Sequence, residues 1–194
     1  MTEALASAIW AVGIVVWAVI RWPYQRRARR RKTVRNAYDA EERSLLTGAV
    51  FGLFVIPLFH LTTGILKFAD YPFQPALGWA GAVVMAVFLF IFFRCHRDLG
   101  RNFSVTLEIR QSHTLVTRGL YRFLRHPMYT SFLLWAVAQA LLFPNWIVAA
   151  SGMLSVLLLI FRRLDREEQM MLETFGDQYT AYRGRTYRLI PWIY

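Results

Sequence analysis

Residues 125–168 read RHPMYTSFLLWAVAQALLFPNWIVAASGMLSVLLLIFRRLDREE. Two apolar runs, Met128–Phe143 and Trp146–Phe161, are separated by the turn-forming pair Pro144-Asn145. Polar clusters stand at both outer ends: Arg125-His126-Pro127 before the first run, and Arg162-Arg163 with Glu167-Glu168 after the second. A helical hairpin that enters and leaves on one side of a membrane brings those clusters together. Each run has 16 residues, about 24 Å at the helical rise, which is short for a full crossing. Such helices borrow flanking residues, tilt little or thin the bilayer locally.

Working outward, three longer apolar runs precede the hairpin: Ala4–Ile20, Leu45–Leu66 and Ala76–Phe93. With 56% hydrophobic residues in 194, this is the pattern of an all-α polytopic integral membrane protein with about five transmembrane helices. Residues 1–194 read as a single domain, with three spans and a basic loop over 1–95 and the polar, chemistry-bearing half over 96–194. Glu3 precedes the first run and a basic block follows it, the reverse of a secretory leader, so the run reads as a retained span with its N-terminus outside. Trp17 and Trp22 sit where aromatic rings favour the interface. Pro57 is placed to kink the second span. His60 reads as a hydrogen-bonded packing residue. Phe88, Phe90, Phe92 and Phe93 crowd the inner half of the third.

The net charge is +11 and the pI about 10.5, values that raise nucleic-acid binding as a first thought. Placement gives a better account. Of the 23 Lys and Arg residues all but Lys67 fall in three segments, around 21–43, 94–125 and 162–188. Five spans put these on one face. The asymmetry assigns that face to the cytoplasm, leaves the C-terminus there, and explains the charge without nucleic acid. The basic block also suits contact with anionic lipid headgroups. Cys95 is the single cysteine and forms no internal disulfide.

The candidate chemistry lies on that basic face. Arg163 and Glu167 are four apart and share one side of a helix that emerges directly from a span, where charges need partners or ligands. Pro127 suits the first turn of a helix and restrains His126 away from helical geometry. His126 itself reads equally as a base, a ligand contact or an interfacial histidine. Gly119 permits a tight turn, and Gly176 marks a helix end. No His, Cys, Asp or Glu stands at metal-ligand spacing with His126, so no metal site is expected.

Leu115-Val116 with Gly119 and Tyr121, then Arg125-His126-Pro127-Met128-Tyr129, Asn145, Arg163 with Glu167-Glu168, and Phe175-Gly176-Asp177-Gln178-Tyr179 with Tyr182 and a late Pro191 together resemble the isoprenylcysteine carboxyl methyltransferase family. Phospholipid N-methyltransferases share part of the pattern. The resemblance covers the C-terminal half in detail and the first 95 residues only as a set of spans. It implies S-adenosyl-L-methionine as methyl donor, with S-adenosyl-L-homocysteine as product, in a cytosolic pocket built from the C-terminal half. It implies cofactor contacts from Glu108, His113, Leu115, Val116, Tyr121, His126, Pro127, Met128, Tyr129 and Glu167, and a substrate carboxylate on Arg163. A lipophilic, isoprenylcysteine-like substrate would enter sideways from the bilayer.

These residue types suit methyl transfer. A carboxylate nucleophile is already charged, so the site must supply alignment and a dry cavity rather than a base. A guanidinium can hold a carboxylate bidentately. Length and basic topology suit a prokaryotic inner-membrane form, which leaves the natural acceptor open. A phospholipid amine or a small thiol is the alternative acceptor, and a non-enzymatic membrane protein is the reading from another class. No obligate protein partner is implied.

Overall fold

A computed structural model describes residues 1–29, 33–36, 39–104, 108–110 and 114–191, with backbone alone for 29, 33–36 and 108–110. The chain runs through α1 (Glu3–Arg29), strand β1 (Thr33–Asn36), α2 (Ala40–Val50), a π-helical turn (Phe51–Val55), α3 (Ile56–Thr63), α4 (Pro75–Leu99), strand β2 (Glu108–Arg110), α5 (Pro127–Leu142), α6 (Trp146–Phe175) and α7 (Asp177–Arg183). Among the described residues, four helical stretches are long and apolar enough to cross a membrane: Glu3–Ala28, Ala40–Thr63, Pro75–Asn102 and Trp146–Phe175. The five expected spans are thus present as four of full length plus the shorter α5.

The structure explains how a 16-residue helix is accommodated. α5 packs against both α4 and α6, and Trp135, Ala136, Ala138, Gln139 and Leu142 have no exposed surface. It is the centre of the bundle, so its length need not match the bilayer. Around it the outer helices turn apolar side chains outward: Val15, Val19, Leu58, Leu154 and Phe161 are all exposed, as lipid-facing residues are. The phenylalanines of α4 divide by helical period: Phe88 and Phe92 are buried, while Phe90 and Phe93 face out.

Local chemistry sets the ends. Asp39 caps α2 by accepting from the Glu42 N–H at 2.8 Å; that bond, with Arg166 beside it, holds the Asp39 carboxyl below the ordinary range. Pro75 and Pro127 occupy the first turns of α4 and α5. Pro57 does interrupt the second span. The irregularity takes the form of the π-helical turn just ahead of it, because proline lacks the N–H and crowds the preceding turn. The Gly52 carbonyl in this turn accepts from Gln139 Nε2 at 2.9 Å and Ser151 Oγ at 3.2 Å. A Cβ on Gly52 would lie 2.3 Å from the Ser151 carbonyl oxygen, so only glycine allows α6 this close, as in other small-residue contacts between membrane helices.

At the end of α6 remote from Arg163, Asn145 caps the helix through Val148 N–H at 2.9 Å and donates to Leu66 O at 2.7 Å and Asp70 Oδ1 at 2.6 Å. His60 is buried, 3.8 Å from Asp70 and edge-on to Phe143, so it is a packing residue; its near polar contact is that ion-pair distance rather than a hydrogen bond. The described residues also include a two-stranded antiparallel ribbon that pairs Arg35 with Ile109 and Asn36 with Glu108, joining the basic block to the loop after α4.

Candidate active site

α6 is one uninterrupted helix of 30 residues, about 45 Å long. It therefore carries its polar end beyond the apolar part of the bundle, with Arg163 and Glu167 one turn apart. Both line a cavity of about 290 Å³. Leu115, Val116, Tyr121, His126, Met128 and Tyr129 line it too, so eight of the candidate residues converge, counting Arg163 and Glu167. Pro127 is buried at the start of α5 and shapes the backbone without lining the space. The backbone of Glu108 lies in β2, and His113 lies outside the described residues. The inner half of the cavity is apolar, walled by Leu53, Phe54, Phe132, Val156 and Leu159.

The polar end is held by hydrogen bonds to distant backbone. Gly119 has φ +62° and sits against Asp98, where a Cβ would come within 2.0 Å of Oδ2; the same carboxylate accepts from Leu120 N–H at 2.9 Å. This fixes the turn that presents Tyr121. The Tyr182 hydroxyl donates to Tyr121 O at 2.6 Å. The C-terminal segment pairs alongside, with Arg125 N–H on Tyr187 O at 2.8 Å and His126 N–H on Arg188 O at 3.1 Å. Burial, with Cys95 and Glu167 close by, pushes the Tyr121 phenol well above its ordinary range. Burial does the same for Tyr179 and Tyr182. All three stay protonated at neutral pH.

The two adjacent glutamates of α6 have different tasks. Glu168 is buried, hydrogen-bonded to Arg125 Nε at 2.8 Å and His126 Nε2 at 3.2 Å, with Arg188 Nε at an ion-pair distance of 3.4 Å. It is a clamp that ties the start of α5 and the C-terminal segment to α6. Glu167 faces the cavity. It accepts from the Tyr129 hydroxyl at 2.6 Å, and its other oxygen lies 3.8 Å from His126 Nδ1. His126 is therefore committed to the clamp.

Arg163 is buried, its guanidinium 3.2 Å from Glu42 of α2 and 5.9 Å from the Tyr129 ring centroid. Glu42 escaped the sequence reading. An acidic residue just before an apolar run reads as a helix-start charge at the surface, and only the docking of α2 on α6 buries it. Its neighbours do lie outside: Glu41 and Asp39 reach Arg162 at 3.2 Å and Arg166 at 2.6 Å. Arg21 and Trp17 of α1 also line the cavity and were read as topology signal and interface anchor. Trp17 points inward, 5.5 Å from Trp135 and 5.0 Å from Phe54 by ring centroid, whereas Trp22 is exposed.

Comparison with known proteins meets this geometry at the same segments. Residues 79–173, from α4 to the Glu167–Glu168 end of α6, match the isoprenylcysteine carboxyl methyltransferase family. That stretch of the chain is similar in sequence to this family. Protein-S-isoprenylcysteine O-methyltransferase B of Arabidopsis thaliana is 34% identical over 96 residues, 48% of this chain and 49% of that protein. The human protein-S-isoprenylcysteine O-methyltransferase is 30% identical over 117 residues, 57% of this chain and 41% of its own. The probable enzyme of Oryza sativa subsp. indica is 29% identical over 140 residues, 70% of this chain and 72% of that one. The chain spans about half the length of the first of these relatives. A solved structure of a eukaryotic intramembrane Ras methyltransferase of the family superposes with a TM-score of 0.55 at 24% identity, covering 82% of this chain and 55% of that chain. The likeness shows the fold: the chain is a polytopic helical integral membrane protein.

Proposed function

We propose that this chain is an integral-membrane methyltransferase that esterifies the carboxylate of a lipophilic, isoprenylcysteine-like acceptor, with S-adenosylmethionine as donor. The observation that carries the reading is a single cavity with an apolar inner half and a polar end where Arg163 and Glu167 face the same space. The residues suit the donor: Glu167 offers a carboxylate beside Leu115, Val116 and Met128, a set that matches a cationic ligand with apolar parts. When bound, the donor supplies an electrophilic methyl group on a sulfonium. The residues of this chain hold the acceptor carboxylate near Arg163, keep water out through the apolar wall, and align the two ligands.

A carboxylate acceptor also fits the protonation pattern. An ionised carboxylate needs no base, and the polar groups described at the site are already engaged: His126 is tied to Glu168, and Tyr121 and Tyr129 are phenols held in contact with Cys95 and Glu167. An amine acceptor would have to lose a proton. The polar end, with its Arg and Lys excess, is taken as cytoplasmic, which places the N-terminus of α1 outside.

Calorimetric binding of S-adenosylhomocysteine to detergent-purified protein, with Glu167→Ala alongside, tests the reading. Saturable binding that the variant loses supports it. Absence of binding by folded wild-type protein overturns it.

A further inference from the structure

Four charged residues among those described line the cavity, and two of them, Arg163 and Arg125, are paired with carboxylates that do not line it, which leaves two over. Arg163 is matched by Glu42 at 3.2 Å and Arg125 by Glu168 at 2.8 Å. Glu167 remains, in contact with a neutral phenol and with the His126 ring at 3.8 Å. The other is Arg21. Its guanidinium lies between two rings, 5.2 Å from the centroid of Trp17 and 5.7 Å from that of Phe103, and no carboxylate among the described residues pairs with it. Arg21 and Arg163 lie close enough for their like charges to act on each other.

Aromatic faces hold a cation in place without neutralising it. A guanidinium set into a largely apolar cavity is costly unless an anion joins it. With Glu42 paired to Arg163, and with Glu167, whose charge also acts on Arg163, reserved for a cationic ligand, the two guanidiniums leave one net positive charge, which a singly ionised carboxylate would balance. Glu42 also tempers Arg163. An arginine already sharing its charge with a buried carboxylate grips a second one less tightly, so the acceptor oxygens stay nucleophilic.

We propose that Arg21 is a specificity-determining residue of this site, the second cation that seats the acceptor carboxylate together with Arg163. The inference rests on the methyltransferase reading above and deepens it. It assigns the leftover cation, Arg21, to the anionic ligand and the leftover carboxylate, Glu167, to the cationic one. It also gives α1, which lies outside the family match, a direct part in choosing acids over their uncharged analogues.

The test uses the full chain in detergent, saturated with S-adenosylhomocysteine, and two probes: an N-acylated S-prenylcysteine and its carboxamide. Dissociation constants are measured by calorimetry for wild type, Arg21→Gln and Arg21→Lys. In Arg21→Gln the acid is expected to weaken by about tenfold to a hundredfold, the range for a lost charge-assisted contact, while the carboxamide is unchanged. S-adenosylhomocysteine affinity is expected to stay the same, and Arg21→Lys to recover part of the preference for the acid. Equal weakening of acid and carboxamide would overturn the proposal, since it would mark a change of shape. So would an unchanged acid affinity, or a loss confined to S-adenosylhomocysteine, which would give Arg21 to the cofactor instead. Wild-type protein that binds neither S-adenosylhomocysteine nor the acid would fail the methyltransferase reading itself, a result separate from these three.

Discussion

Glu42 and Arg163 form an ion pair at 3.2 Å between α2 and α6, with side chains 0% and 9% exposed. The pair joins the N-terminal spans to the half of the chain that carries the family pattern. Removing one partner from a buried pair strands the other, which costs about 3–5 kcal/mol. Glu42→Ala is therefore expected to lower the unfolding free energy in detergent by about that amount. The double variant Glu42→Ala/Arg163→Met should recover a substantial part. Equal stability of wild type and Glu42→Ala would mean that the pair carries no structural weight.

The same helix face offers an internal contrast. Arg162 meets Glu41 at 3.2 Å, but the two side chains are 63% and 45% exposed. An exposed pair contributes about 0–1 kcal/mol. Arg162→Ala should leave the melting temperature nearly unchanged, and raising the salt should erase what difference remains. A large loss would show that α2 docks through its outer charges rather than through Glu42.

These two pairs also mark how far the sequence could be read. The hairpin followed from the Pro144-Asn145 break, the helix end at Gly176 from its glycine, and the shared face of Arg163 and Glu167 from their spacing of four. All of these are local rules. The Glu42–Arg163 pair and the inward position of Trp17 depend on how separate helices pack, which no spacing within one helix encodes. The division of labour between Glu167 and Glu168 is partly local, since adjacent residues on a helix point about 100° apart. Which of the two meets the cavity was decided by the C-terminal segment returning to cover Glu168.

Gly119 is the local rule with the sharpest consequence. Its φ of +62° disfavours any side chain, and a Cβ would meet the Asp98 carboxylate at 2.0 Å. Gly119→Ala should displace the turn bearing Tyr121 while leaving the spans intact. The expected result is unchanged helical circular dichroism with S-adenosylhomocysteine binding weakened by about tenfold or more, the scale of one or two lost hydrogen bonds. Wild-type affinity would separate this turn from the cofactor pocket.

The buried phenols set an alkaline limit on stability. Burial raises the folded-state pKa of Tyr121, Tyr179 and Tyr182 above the unfolded value near 10. Below pH 10 both states are protonated and nothing is lost. As pH rises past 10 the unfolded chain releases these protons first, so stability falls by about 1.4 kcal/mol per pH unit for each such tyrosine. The Tyr179 hydroxyl is buried without a hydrogen-bond partner among the described residues, so Tyr179→Phe should cost little at pH 8. It should also make the decline between pH 10 and 11 shallower. A slope identical to wild type would remove Tyr179 from this account.

Arg163 separates acceptor binding from cofactor binding. Its guanidinium meets Glu42 and faces the Tyr129 ring, while Glu167, one turn further along α6, lines the same cavity with Leu115 and Val116. Lysine keeps the charge but presents a single compact ammonium, unable to face Glu42 and an acceptor carboxylate with two parallel donors. Arg163→Lys is therefore expected to reduce kcat/KM for a prenylated carboxylate acceptor by about tenfold to a hundredfold. The dissociation constant for S-adenosylhomocysteine should stay within about twofold of wild type, because the groups that would hold the cofactor are untouched. Calorimetry and methyl-transfer assays on the same preparation read both. Full turnover in Arg163→Lys would remove the carboxylate contact from Arg163, and Arg21 would then stand as the principal cation of the seat.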